Sequence, residues 1–188
     1  MIHCVVLLLF ALLPAVSFGD TLLGRVVAVA DGDTLTLLTS DREQVRIRLA
    51  EIDTPERRQP WGSRARQALA NAVFQKEIRV EAVDVDRYDR VVGRIWLGNR
   101  DVNRELVAEG HAWVYRQYMT GRSLLDDEAA ARSASRGLWG DSRPTPPWEY
   151  RRGNRAGSRR SASERPTSAA FSCGSKRYHP TQCGLTRL

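Results

Sequence analysis

Two short segments hold the side chains best suited to chemistry: Asp31-Gly32-Asp33-Thr34 and Asp53-Thr54-Pro55-Glu56. Taken singly, each reads as an ordinary turn, because Asp-Gly and Thr-Pro both punctuate loops. Together they describe a site. Asp33 begins one predicted strand and Asp53 ends the next, and neighbouring strands lie about 4.8 Å apart, so the two carboxylates can converge. Neither His nor Cys accompanies them, which suits a hard, oxygen-ligated cation, Ca²⁺ or Mg²⁺, rather than zinc. The ligand spacing of an EF-hand is absent. Arg48 precedes Asp53, and Arg90 closes the polar loop Asp86–Arg90. A guanidinium presents a planar fork of donors that matches phosphate oxygens. Phosphoryl transfer requires charge neutralised on the equatorial oxygens and a nucleophile held in line. Two arginines, one divalent cation and one spare carboxylate, Glu56, meet those needs.

The elements that position these residues follow from periodicity. Leu22–Ala30 and Thr34–Thr39 are rich in Val, Leu and Thr, with Asp31-Gly32 as the turn between them. Val45, Ile47 and Leu49 alternate with Arg46 and Arg48, a period of two that puts both arginines on the face opposite the core. Five extended residues span roughly 17 Å, so the chain must bend through Ala50-Glu51-Ile52 if Arg48 and Asp53 serve one phosphate. Ala65, Leu69, Ala72 and Val73 recur at helical spacing behind Ser63, a candidate cap. Ile78–Val85 and Val91–Leu97 alternate again. Asp101 or Asn103 is placed to cap a short helix ending at Gly110, and Ser123 with Asp126 resembles the capping box of a last helix. Gly137 suits a left-handed turn, after which Leu138 and Trp139 fold back on the core. The fold class expected is α+β: a five-stranded OB-fold-like barrel with about three helices and a disordered basic C-terminal extension.

The same segments resemble the staphylococcal nuclease-like (thermonuclease) domains over about 22–140. The resemblance rests on ADGDT at Ala30–Thr34, RLAEIDTPE at Arg48–Glu56, DRYDR at Asp86–Arg90, VNRELVAEGHAWVY at Val102–Tyr115 and ASRGLWG at Ala134–Gly140, in that order. It implies that Asp33 and Asp53 bind Ca²⁺ through carboxylates and Thr54 through its carbonyl. It implies that Glu56 is the general base or positioner for water, and that Arg48 and Arg90 grip the scissile phosphate. Tyr88 and Tyr118 match tyrosines that contact the nucleotide in relatives. The implied activity is hydrolysis of DNA and RNA, leaving 3′-phosphate products. One departure stands out: Asp89 occupies a position where many members have Gly, and its charge works against the grip of Arg90 on phosphate. Degenerate members of the family bind without cutting, which leaves a catalytically weak or inactive binding module as the alternative. No obligate protein partner is evident, and a monomer acting on single-stranded or denatured nucleic acid is expected.

The formal net charge of +7 is uneven. Residues 20–140 hold nineteen Lys/Arg and nineteen Asp/Glu, whereas 141–188 hold ten Lys/Arg and three Asp/Glu. The excess therefore belongs to the tail, where it can hold a polyanion near the domain or merely solvate a linker. Residues 1–19 have the layout of a signal peptide, with an apolar run from Val5 to Leu13 and small residues after Pro14. That run is shorter than the roughly 20 residues of a bilayer span, so export to the periplasm or medium is expected and a stable membrane anchor is not. The nuclease-like domain is placed at 21–141, a disordered linker at 142–170, and a small cysteine-closed motif at 171–188. Cys173 and Cys183 form an even pair, which in an exported chain reads as one disulfide. A metal site of Cys173, His179 and Cys183 is the alternative, short of a fourth ligand.

Overall fold

Strands of alternating apolar residues close on themselves to form the barrel. The structure, a computed structural model, describes residues 21–154. The expected signal segment, the tail cysteines Cys173 and Cys183, and the larger part of the expected linker lie outside the described residues. Strands β1 (Thr21–Asp31), β2 (Thr34–Thr39) and β3 (Gln44–Leu49) form an antiparallel meander. The two-residue strand β4 (Ile52–Asp53) follows at once, and helix α1 (Gly62–Val73) crosses to β5 (Glu77–Val85) and β6 (Val91–Leu97). β5 pairs with both β1 and β6, and β6 runs parallel to β3 through Ile47–Val91 and Arg48–Val92. That last pairing closes a five-stranded barrel and leaves none of its strands an open edge.

Inward-facing Val26, Leu35, Leu37, Ile47, Leu49, Val80 and Ile95 fill the barrel and are fully buried. Leu69 and Val73 of α1 join the same cluster. So do Val102, Leu106 and Val107 of α2 (Val102–Ala108), which follows the short strand β7 (Arg100–Asp101). Burying one such side chain is worth about 1.5–3 kcal/mol relative to exposure, which is why the alternation dictates the register. A second cluster of Trp113, Ala131, Leu138 and Trp139 lies beneath β8 (Trp113–Val114) and α3 (Ser123–Ser133). Gly137, at φ 57°, makes the turn into it: a Cβ there would stand 2.2 Å from the carbonyl oxygen of Gly110.

Several local expectations change. Asp101 caps α2 by accepting the Arg104 N–H at 3.0 Å. Asn103, the other candidate, is buried, donates to the Ala50 carbonyl at 2.9 Å and accepts the Ile95 N–H at 3.0 Å. Ser63 lies inside α1, which starts from a left-handed Trp61 with no side-chain cap. Ser123 is likewise the first residue of α3, so it forms no capping box with Asp126. The largest difference concerns the expected linker. Residues 147–154 are helical, making a fourth helix, α4. Trp148 packs edge-on to Trp113 and parallel to Tyr115, with ring centroids 5.7 and 5.8 Å away. An amphipathic turn this short has little helical periodicity of its own, and the partners that order it lie more than thirty residues earlier.

Candidate active site

Backbone geometry brings the two acidic segments together. Asp33 lies in the hairpin turn between β1 and β2, and its carbonyl accepts the Leu49 N–H at 2.9 Å. β3 ends at Leu49, and the bend required of Ala50-Glu51-Ile52 is made by Glu51 in the left-handed region, at φ 63°. The Glu51 carbonyl accepts the Tyr115 N–H, and its carboxylate accepts the Thr120 N–H and hydroxyl, both at 2.6 Å. The chain thus returns to the barrel rim as β4, paired with β8 through Asp53 and Trp113. Asp53 therefore sits in its own short strand rather than at the end of β3. The approach is close: a Cβ on Gly32 would stand 2.7 Å from the Thr54 hydroxyl.

Asp33 and Asp53 are both buried. Asp33 Oδ2 accepts the Thr54 N–H at 3.1 Å, and Arg48 joins the two carboxylates. Its Nη1 stands 2.5 Å from Asp33 Oδ2 as an ion pair rather than an aligned hydrogen bond, and its Nη2 donates to Asp53 Oδ1 at 3.1 Å. Burial alone would raise both acids. For Asp33 the Arg48 charge and the bonds from Asp31, Thr54 and Thr34 outweigh it and hold the carboxyl below its ordinary range. For Asp53 burial prevails over the arginines and the pKa is raised. Asp31, which the sequence offers only as a turn residue, belongs to the same cluster. Burial and the charge of Asp33 push its carboxyl up to about 6.

Arg90 approaches from the β5–β6 loop. Its Nη1 donates to the Thr34 hydroxyl at 3.2 Å, while Nε and Nη2 hold Asp86 Oδ2 at 2.8 and 2.6 Å. Asp86 also accepts the N–H groups of Tyr88 and Arg90, so it organises the whole loop. Asp86, rather than Asp89, is the acid in direct contact with the Arg90 guanidinium. Asp89 stands at φ 57°, a left-handed turn position that Gly fills without strain and Asp tolerates. Tyr88 is exposed with Arg87 and Arg90 over its ring at 4.9 and 5.5 Å. Tyr118 is exposed in the short turn Arg116–Tyr118 after β8 and packs edge-on to Tyr115 at 4.9 Å.

Glu56 follows Pro55 in a loop held by Gln59, whose side-chain carbonyl accepts the Glu56 N–H at 3.1 Å. Its carboxylate meets Arg151 of α4, a residue absent from the sequence reading. Arg151 Nη1 donates to Glu56 Oε1 at 2.7 Å, and Nη2 donates to Asp53 Oδ2 at 2.5 Å. Burial of Arg151 opposes its charge, but the bonds to Asp53 and Glu56 win and raise its pKa. The signal that could have found it is Trp148 with Arg151, an aromatic and a cation one turn apart in an otherwise Pro- and Arg-rich stretch.

Among the described residues, no three acidic, His or Cys side chains are grouped as a ready-made cation cage. Of the oxygens expected to hold a cation, the structure brings together the carboxylates of Asp33 and Asp53, bridged by Arg48. This set fits a hard cation that keeps part of its water shell and offers nothing to a soft one.

Comparison with known proteins places the chain in a family. The family model described as staphylococcal nuclease homologue matches residues 46–141. That span holds Arg48, Asp53, Thr54, Glu56 and Arg90, while Asp33 precedes it. An uncharacterized endonuclease of Haemophilus influenzae is 38% identical over 146 residues, covering 78% of this chain and 82% of the relative. Micrococcal nuclease of Shigella flexneri is 40% identical over 143 residues, covering 70% and 82% respectively. A probable staphylococcal-like nuclease of Oryza sativa is 41% identical over 115 residues, covering 61% of this chain and 35% of the plant protein. With the closed barrel and the Asp33–Arg48–Asp53 rim in place, these matches identify the chain as a member of the staphylococcal nuclease family.

Proposed function

We propose that this protein is an exported, calcium-dependent nuclease that hydrolyses phosphodiester bonds of single-stranded or denatured DNA and RNA. The single observation that carries the reading is the convergence of Asp33, Asp53 and the Thr54 backbone around Arg48, with Glu56 and Arg90 flanking them. Family membership and relatives named as endonucleases and micrococcal nuclease support the reaction class. The choice of Ca²⁺ over Mg²⁺ and the 3′-phosphate product rest on the family resemblance, and the monomeric state and export on the sequence.

In this reading Asp33, Asp53 and the Thr54 carbonyl hold the cation, which when bound neutralises phosphate charge. Arg48 and Arg90 donate N–H groups to the non-bridging oxygens as charge builds on them. Glu56 accepts a proton from the attacking water. The new P–O bond forms in line with the bond that breaks to the 5′ oxygen. That oxygen leaves with the electron pair of the broken bond and takes a proton from solvent water to become a hydroxyl, and the phosphate stays on the 3′ side. Tyr88 and Tyr118, exposed on two connections around the rim, offer ring faces to bases, which suits unstacked strands.

The test is cleavage of heat-denatured DNA and of RNA by purified protein with Ca²⁺, Mg²⁺ or EDTA. Cleavage is expected with Ca²⁺, lost with EDTA and lost in Asp33→Ala. Folded protein that leaves denatured DNA intact in Ca²⁺ would overturn the reading.

A further inference from the structure

Arg151 stands where the proposed function needs access. Asp53 Oδ1 accepts from Arg48 Nη2 at 3.1 Å and from Arg151 Nη1 at 3.3 Å, and its Oδ2 accepts from Arg151 Nη2 at 2.5 Å. Both oxygens of this carboxylate therefore face guanidinium donors, and Glu56 is engaged by the same side chain. A cation at Asp53 meets the like charge of both guanidiniums, so its entry is favoured when one arginine gives way. Arg48 cannot easily do so, because it projects from β3, a strand paired on both sides within the closed barrel. Arg151 projects from α4, outside the barrel. Its side chain is also the more exposed of the two, at 35% against 15% for Arg48.

The way α4 is held suits a part that can leave. Trp148 and Arg151 are three residues apart, so they share one face of a single helical turn. Trp148 lies against Trp113 and Tyr115 while Arg151 reaches the acids. Two bonds dock the segment to the loop after Glu56: Gln59 Nε2 donates to the Thr145 carbonyl at 2.5 Å, and the Tyr150 hydroxyl donates to the Arg58 carbonyl at 3.2 Å. No strand pairing holds it. The Gln59 and Tyr150 contacts are single side-chain bonds to backbone carbonyls and are individually weak.

We propose that α4 is an autoinhibitory strap: Arg151 neutralises Asp53 and Glu56 in place of the divalent cation, and cation loading requires the strap to swing away. The inference rests on the cation-dependent nuclease reading above. In the strapped state the cation site is incomplete and the Glu56 carboxylate is occupied. The apparent cation affinity is then the intrinsic affinity reduced by the fraction of molecules with the strap open.

The experiment is calorimetric titration of Ca²⁺ into the full chain without nucleic acid, comparing the native protein with Arg151→Ala and Trp148→Ala. Arg151→Ala is expected to bind Ca²⁺ about tenfold more tightly or better. Trp148→Ala, which loosens the strap without touching an acid, is expected to move affinity the same way and decides the matter if Arg151→Ala fails to fold. Equal or weaker binding by the folded variants would overturn the strap while leaving the cation reading intact. No Ca²⁺ binding by any folded form, with Asp53→Asn indistinguishable from the native chain, would overturn both.

Discussion

Arg48 Nη1 stands 2.5 Å from Asp33 Oδ2, although one residue lies in the last turn of β3 pairing and the other in a hairpin turn fifteen positions earlier. The antiparallel register of β2 and β3 sets this distance, because Thr34 is the direct partner of Arg48. The residue before Thr34 is then forced to the rim beside the guanidinium. Both groups are largely buried, so their attraction is little screened by solvent, and each holds the other in its charged form.

Removing Arg48 therefore has two separable effects. Arg48→Ala leaves Asp33 and Asp53 without their shared counter-charge, a change that costs about 3–5 kcal/mol when one partner of a buried pair is lost. It also removes a donor to the phosphate, worth about 100-fold or more in turnover. Saturating Ca²⁺ should raise Tm more in Arg48→Ala than in the native chain, since the cation then supplies the missing charge. Thermal melts with Ca²⁺ and with EDTA check the first effect, and kcat on denatured DNA checks the second. A Ca²⁺-induced shift no larger than the native one would contradict the account.

Asp86 and Asp89 separate position from proximity. Asp86 binds Arg90 through two nitrogens and caps the loop backbone, whereas Asp89 occupies a turn position at φ 57°. Asp86→Ala should release Arg90 and disorder its approach, lowering kcat/KM by about tenfold or more through lost positioning. Asp89→Gly should leave kcat/KM within about twofold, because a turn-compatible surface change has little to disturb. Steady-state rates on one oligonucleotide decide it, and a reversed order would show that sequence neighbours matter more than the hydrogen bonds.

Asn103 carries the bend that delivers Asp53. It is buried, and its amide spans the Ala50 carbonyl and the Ile95 N–H, tying the end of β3 to β6. Asn103→Ala strands those two backbone groups without water, which costs about 2–4 kcal/mol from the unmet donor and acceptor. Denaturant melts should show that loss with an unchanged m-value. A loss below about 0.5 kcal/mol, the usual size of a surface change, would mean that other contacts hold the bend.

Much of this is legible in the sequence. The alternation in Val45–Leu49 and Val91–Leu97 announces the barrel strands because a closed barrel buries one face of each. The need for a bend after Arg48 follows from chain reach alone, and Glu51 makes it. What escaped was non-local. Asn103 reads as a helix cap because its type favours caps, yet its partners lie on two other elements. Asp31 reads as a turn because nothing in the sequence reports its burial beside Asp33. Arg151 sits in a stretch whose composition resembles solvated linker, and only the docking of Trp148 on Tyr115 reveals its order. In each case a tertiary partner outweighed the local preference.

His111 provides a pH test away from the acidic rim. Burial lowers its pKa below the ordinary 6.5, with Glu109 opposing only in part. Its Nδ1 accepts the Trp61 Nε1–H at 3.1 Å, a bond the protonated ring cannot make. The folded state thus binds its proton more weakly than the unfolded chain does. Stability is full above the unfolded value, falls as pH drops through about 6.5, and levels off once pH passes below the folded value. His111→Gln keeps an acceptor for Trp61 and cannot titrate. Tm measured from about pH 8 to pH 5 should therefore fall more steeply in the native chain than in His111→Gln, most of the divergence lying below about pH 6.5. Carboxylates common to both proteins contribute equally and cancel in the difference. Parallel curves would mean that the imidazole is protonated in place, with Trp61 bonded elsewhere.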